Sequence, residues 1–149
     1  MKIGAGSTPM TDTFTSAGRT RVMSRIKSKN TRPELIVRKY LYSQGIRYRL
    51  HKKTLPGKPD IVVSKINTVL FVNGCFWHHH DGCKRSNWPK SNKDYWIPKI
   101  RRNIARDKKN NALLSSMGWK IITIWECEVG SLELHGILQE MIQVYLHKD

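Results

Sequence analysis

Apolar residues follow two periodicities along this chain, and the switches between them outline its elements. Ile36, Val37, Tyr40 and Leu41 recur at helical spacing behind a start signal. Thr31 stands where an N-cap belongs, Pro33 falls in the first turn, and Glu34 follows Thr31 by three, the spacing of a capping box. Gly45 ends that helix. "IRYRLH" (46–51) alternates apolar and basic positions, which predicts a half-exposed strand with arginines on its wet face. "LPGKPD" is a turn in which Pro59 fixes the chain just before Asp60. "IVVSKINTVLFVN" then predicts two buried strands, 61–63 and 68–72, joined by a polar hairpin turn.

Residues 75–93 show no periodicity, which predicts a functional loop or a metal knuckle. Ser91 and Asp94 repeat the capping-box spacing and open a helical region reaching about Met117. Ile100, Ile104, Leu114 and Met117 mark its core side, while Arg101, Arg102, Arg106, Lys108 and Lys109 face out. Pro98 predicts a break or a fresh first turn. Gly118 stops the helix, and "WKIITIWEC" predicts another buried strand ending at Cys127. The last helix, from about Ser131 to Leu146, carries the clearest stripe: Leu134, Ile137, Leu138, Met141, Ile142 and Tyr145, a core face or a dimer face. The order helix, strands, helix, strand, helix predicts a single α/β domain over 19–149, behind a turn-rich, flexible N-terminal arm over 1–18.

Charge changes the picture from fold to partner. The 149 residues carry 27 Lys and Arg against 11 Asp and Glu, a formal net charge of +16. So large an excess favours a polyanion, because neutralising phosphates releases condensed counterions. A solubility charge or a membrane-surface patch would need the same total. The basic residues, however, are interleaved with aromatics, Asn and Ser rather than arrayed on one amphipathic helix, which favours nucleic acid. No run of about 18 apolar residues predicts a membrane span, and the N-terminus has no apolar core of a secretory signal. The expected address is the cytoplasm.

Three cysteines, Cys75, Cys83 and Cys127, cannot all pair within one chain, so the count favours thiolate ligands over a disulfide framework. Cys75 and Cys83 flank the run His78-His79-His80, and Cys127 lies far along the chain. With one histidine they describe a closed tetrahedral zinc site, structural because four protein ligands leave no open position. His80 or His79 completes it; spacing does not choose. The competing reading is three cysteines buried as small hydrophobes.

Catalysis then needs another centre. Asp60, a lone carboxylate at the start of a buried strand, suits a hard cation such as magnesium bridging to a phosphate oxygen. Glu34 either orients a metal-bound water or serves only the helix cap. His78, not required by zinc, has the chemistry to take a proton from water near neutral pH. Asp107 in "IARDKKN" either orients that histidine or makes an intrahelical salt bridge.

The assembly "NTRPE", "LPGKPDIVV", "FVNGCFWHHHDGC", "YWIPKIRRNIARD" and "GWKIITIWEC" closely resembles the very short patch repair (Vsr-type) DNA mismatch endonucleases, from about Arg19 to Cys127 and in family order. The resemblance implies a restriction-endonuclease-like fold, a central mixed sheet flanked by helices with a structural zinc. It also implies a bacterial enzyme acting at the nucleoid, which nicks one strand at a T·G mismatch left by deamination of 5-methylcytosine. Asp60 matches the magnesium-binding aspartate, and the main-chain carbonyl of Val72 a second metal contact. His78 matches the catalytic histidine, with Asp107 and Glu34 its supporting acids, and Cys75, His80, Cys83 and Cys127 match the zinc ligands. Phe76, Trp77 and Trp96 match aromatics wedged into DNA, with Met23 on the arm opposite and Arg19, Arg21 and Arg25 beside it on the basic segment. The implied partners are mismatched double-stranded DNA and a DNA cytosine-5 methyltransferase, and a mismatch without two-fold symmetry implies a monomer. Two departures stand out. The strand "TVLFVN" lacks the acid-x-Lys pair common among relatives of restriction nucleases, and Asn73 stands where family members often have a histidine. A zinc-stabilised DNA-binding module without catalysis is the alternative, and a zinc hydrolase with an open histidine site a third.

Overall fold

The computed structural model of the protein describes residues 29–149. Met23, Arg19, Arg21, Arg25 and the arm over 1–18 therefore lie outside the described residues.

Helix α1 spans Arg32–Ser43, and its start follows the sequence signal only in part. Thr31 caps it, accepting from the Glu34 N–H at 3.3 Å. The Glu34 carboxylate does not return to the cap residue. Its Oε1 accepts from the Asn30 N–H at 3.1 Å, one residue earlier, and its other oxygen is left for the site. Gly45 follows the helix with φ +77, a left-handed turn that a glycine adopts without a Cβ penalty.

Strand β1 is only Arg49–Leu50, both exposed, shorter than the alternation over 46–51 predicts. It is an edge strand, and His51 leaves it through positive φ, which ends the ladder. Strands β2 (Ile61–Val63) and β3 (Thr68–Asn73) fall where the apolar runs place them, joined by a 3-10 turn at Ser64–Ile66. Strand β4 is Lys120–Trp125. The chain then tightens into a 3-10 turn over Glu126–Glu128, so Cys127 sits just beyond the strand and not at its end as predicted.

The four strands form one mixed sheet in the order β1-β2-β3-β4, antiparallel for the first two pairs and parallel for the last. Strand parity divides the core. Ile61, Val63, Leu70 and Ile124 face α1 and the helix α3 (Ser131–His147), meeting Val37, Leu41, Leu134, Leu138, Met141 and Ile142. Val62 and Val69 point the other way, into a smaller cluster with Leu55 and Leu114 of helix α2 (Lys93–Ser116). Two-sided burial explains why these strands read as continuous apolar runs. The α3 stripe is core packing, each buried leucine contributing on the order of 2 kcal/mol.

Helix α2 differs from its prediction in three ways. Its N-cap is Asn92, in a left-handed conformation and with no side-chain cap bond, so the predicted Ser91–Asp94 box does not form. Pro98 lies inside an unbroken 24-residue helix. The lost N–H and the ring's clash with the previous turn are outweighed because packing grips both sides, through Trp96 in an aromatic cluster and Ile100 in the interior. Met117, predicted on the core side, is exposed, since the helix ends at Ser116 and turns its C-cap outward. No helix among the described residues is long and apolar enough to cross a membrane.

Candidate active site

Two groups of potential metal-ligating side chains lie near the end of the sheet where β3 and β4 finish, and the loop 74–83 carries three members of the first. The first contains Cys75, His80, Cys83 and Cys127, whose ligand atoms all lie within 4.8 Å of one another. His80 Nδ1 stands 3.7 Å from Cys75 Sγ and 3.4 Å from Cys127 Sγ, and Cys83 Sγ lies 3.9 Å from Cys127 Sγ. These are close to the edges of a tetrahedron around a zinc ion with ordinary Zn–S and Zn–N bonds, about 3.5–3.8 Å. The donor set therefore fits such a cation. Burial pushes the Cys75 and Cys127 thiols above their ordinary range, an effect a bound cation would reverse.

The local chain explains how these ligands meet. Buried Glu126 reaches back from the turn after β4 and accepts from the Cys75 N–H at 3.0 Å, tying that turn to the loop. Gly74 sits tightly beside it: a Cβ there would lie 3.1 Å from the Trp77 ring, which would have to shift by a few tenths of an ångström. Ser86 donates to the His80 carbonyl, closing the loop's far end. The His80 imidazole stacks flat on Trp125, ring centroids 4.3 Å apart.

The three adjacent histidines point to different places because His79 has φ +52. A left-handed residue reverses the local direction of the chain, at a cost of about 1–2 kcal/mol for a residue with a Cβ. His80 turns to the cysteines. His78 turns to α2, where its Nδ1 lies 2.6 Å from Asp107 Oδ2. His79 is not in the cysteine group. It stacks on Trp88 with its Nδ1 buried and without a hydrogen-bond partner among the described residues. Geometry thus resolves the choice that spacing leaves open, in favour of His80.

The second group is Glu34, His51 and Asp60, again with ligand atoms within 4.8 Å of one another. Glu34 is 1 % exposed, and its Oε2 meets His51 Nε2 at 2.8 Å and Arg38 Nη1 at 3.3 Å. Asp60 Oδ2 accepts from the Val72 N–H at 2.7 Å. Burial raises Asp60 from 3.8 to about 6. The Val72 N–H opposes that rise, Glu34 adds to it, and His51 and His78 pull the other way. His78 is near enough to Asp60 to act on its charge, so the pair of His78 on the loop and Asp107 on α2 neighbours this group. A cation here would offset the cost of ionising Asp60, and the carboxylates suit a hard one.

Phe76, Trp77 and Trp96 meet in one aromatic cluster, with centroids 5.1–5.6 Å apart. Phe76 is buried beneath the other two, which are half-exposed. Asn103, one turn before Asp107 on α2, donates to the Trp77 carbonyl at 2.8 Å, so a single helix face holds both the aromatic cluster and His78.

Sequence reasoning missed His51, Glu126 and Asn103. Strand register is what marks His51: β1 and β2 pair Leu50 with Ile61, so the next pair is His51 with Asp60, and the His51 N–H donates to the Asp60 carbonyl at 3.1 Å. Directly opposed residues share a face. Nothing local marks Glu126 or Asn103, whose roles depend on distant backbone.

Known proteins resemble this chain along most of its length. Residues 11–85 match the family described as DNA mismatch endonuclease Vsr. The type II nicking enzyme V.NmeAIP of Neisseria meningitidis is 52% identical, over 80% of this chain and 85% of its own. The type II nicking enzyme V.XorIIP of Xanthomonas oryzae is 50% identical over 83% and 90%. The DNA mismatch endonuclease Vsr of Escherichia coli is 35% identical over 83% and 79%. With so much of each chain aligned, and with the cysteine–histidine and carboxylate groups both assembled, the protein belongs to the Vsr family of DNA mismatch endonucleases.

Proposed function

We propose that the protein nicks one strand of duplex DNA at a T·G mismatch left by deaminated 5-methylcytosine, by magnesium-dependent hydrolysis of a phosphodiester, in very short patch repair. The observation that carries this reading is the convergence of the His78–Asp107 pair with Asp60 beside a half-exposed aromatic cluster. Zinc, held by Cys75, His80, Cys83 and Cys127, is structural in this reading, and residues 19–149 form one restriction-endonuclease-like domain behind an arm over 1–18.

Asp60 and the Val72 carbonyl would hold the magnesium ion, which would supply Lewis-acid polarisation of the scissile phosphate and offset the charge developing there. The Val72 carbonyl suits that use. Continuing the β2–β3 register would set Pro59 opposite Val72, and proline brings no N–H to occupy it. His78, oriented by Asp107, takes a proton from the attacking water, the task that a lysine on β3 would otherwise share. Glu34, close to Asp60 and His51, supports the water at the metal. Asn73 can donate a hydrogen bond to the leaving oxygen but cannot give it a proton.

Trp77 and Trp96 test base stacking, with Phe76 reaching the base step only when the cluster parts. Met23 enters from the arm, with Arg19, Arg21 and Arg25 on the phosphates. A mismatched step is cheaper to unstack than a matched one, which turns an aromatic wedge into a selector. The enzyme acts as a monomer in the cytoplasm, at the nucleoid, on sites made by a DNA cytosine-5 methyltransferase.

The test is a labelled duplex carrying T·G or C·G at one position, incubated with magnesium. The expected result is a single nick on the mismatched duplex alone, abolished in Asp60→Ala and His78→Ala while DNA binding persists. Cleavage retained in Asp60→Ala overturns the magnesium mechanism. Binding without a nick on any mismatch favours a zinc-stabilised DNA-binding module.

A further inference from the structure

We infer that His51 is a protein ligand of the active-site cation, alongside Asp60 and Glu34, giving this site a mixed imidazole–carboxylate donor set. The inference rests on the nuclease reading for its location and adds to it a residue and a metal preference.

Three features of the structure lead there. The β1–β2 register sets His51 and Asp60 side by side at the open end of the sheet, locked by the bond from the His51 N–H to the Asp60 carbonyl at 3.1 Å. Glu34 then brings a nearly fully buried carboxylate from α1, with Nε2 of His51 only 2.8 Å from its Oε2. All three ligand atoms lie within 4.8 Å of one another. Around a small octahedral cation, neighbouring ligands sit about 3.0 Å apart and opposite ones about 4.2 Å. The observed spread matches that shell after a contraction of well under 1 Å.

The charge balance points the same way. Two carboxylates share a largely enclosed space, and Arg38, at 3.3 Å from Glu34, is the cationic contact to them among the described ion pairs apart from His51 itself. His51 Nε2 and Glu34 Oε2, 2.8 Å apart, are the two atoms that a cation would join. The His51 ring keeps 19 % of its surface open, which leaves a route of entry.

This donor set has a distinct metal chemistry. Magnesium prefers oxygen ligands and its own waters, whereas Mn2+ shares that preference for carboxylates and, as a first-row transition ion, also accepts a nitrogen donor. A site built from Asp60 and a carbonyl alone would need the DNA phosphate to complete it. One with three side chains loads without DNA and favours Mn2+.

The experiment is Mn2+ titration of the full-length, zinc-loaded protein without DNA, followed by electron paramagnetic resonance and by pulsed detection of nitrogen coupling. The wild type is expected to take up one Mn2+ with a histidine nitrogen coupling, which converts to its 15N counterpart when the histidines are 15N-labelled. His51→Gln is expected to lose that coupling and to bind Mn2+ about tenfold or more weakly, with zinc content unchanged. No Mn2+ uptake by the wild type, or nitrogen coupling that survives in His51→Gln, overturns the inference. The two readings fail separately. Mismatch nicking without nitrogen coupling removes only the ligand role of His51, whereas coupling with no nicking on any mismatch removes the nuclease reading and leaves the metal site.

Discussion

The cysteine–histidine group and the Glu34–His51–Asp60 group are both suited to a divalent cation, yet their construction is opposite. The first uses soft thiolates, has four protein ligands, and draws three of them from nine residues of chain, with Cys127 supplied by the turn after β4. Four ligands close a tetrahedron, so such a site can hold chain segments together but offers no place for substrate. The second gathers its side chains from α1, the end of β1 and the start of β2, and its oxygens belong to a pocket where ionisation is costly. It has fewer protein ligands than a hard octahedral cation takes, which leaves positions for water and phosphate. One lesson follows from the contrast: a clip is built from ligands close in sequence, and a reactive centre from elements that only the fold brings together. The left-handed residue His79 lets one short loop serve both, by sending His78 and His80 in different directions.

The largest effect is expected at the cysteines proposed to hold zinc. Cys75→Ser or Cys127→Ser is expected to drop the zinc content from one per chain to none in elemental analysis. Cooperative melting and nicking should go with it, because the cation's binding energy is folding energy for the loop. Full nicking without zinc would mean that the clip does not hold the reactive loop. His78→Ala should do the reverse, keeping zinc and melting temperature while lowering the single-turnover nicking rate about 10²–10⁴-fold. A parallel loss of zinc would show that the two groups are not separable. Asp107→Asn is expected to cost less, about tenfold, and to shift the pH profile of the rate, since it disturbs His78 without removing it.

The pH dependence of stability sharpens the second group. Asp60 has its folded value raised from 3.8 to about 6, so its contribution is fully present below pH 3.8 and is lost as pH rises through 6. Without added divalent cation, Asp60→Asn should therefore gain on the wild type between those values, by up to about 3 kcal/mol in urea denaturation. Magnesium should shrink the gap. A gap independent of pH would show that Asp60 ionises without penalty. The smallest effect concerns α1: Thr31→Ala removes the cap oxygen and should cost about 1 kcal/mol of stability by the same method, with zinc content untouched.

Much of this was readable from sequence for one physical reason, which is that local chemistry repeats at fixed intervals. Apolar periodicity located β2, β3, α1 and α3 within a residue or two, and Cys75 and Cys83 around the histidine run pointed to a group able to hold a metal. The elements misread were those where packing overrides local preference: the helix that continues through Pro98, the outward turn at Met117, and the edge strand reduced to Arg49–Leu50. Tertiary structure alone decided which histidine joins the cysteines, because the backbone reversal at His79 has no mark in a run of three identical residues. It alone set His51 beside Asp60 and Glu34, since strand register and helix docking join positions up to 26 residues apart. Sequence by itself determined the donor chemistry available to the protein; the pairing of strands and the placing of α1 and α2 on opposite faces of the sheet decided which donors meet.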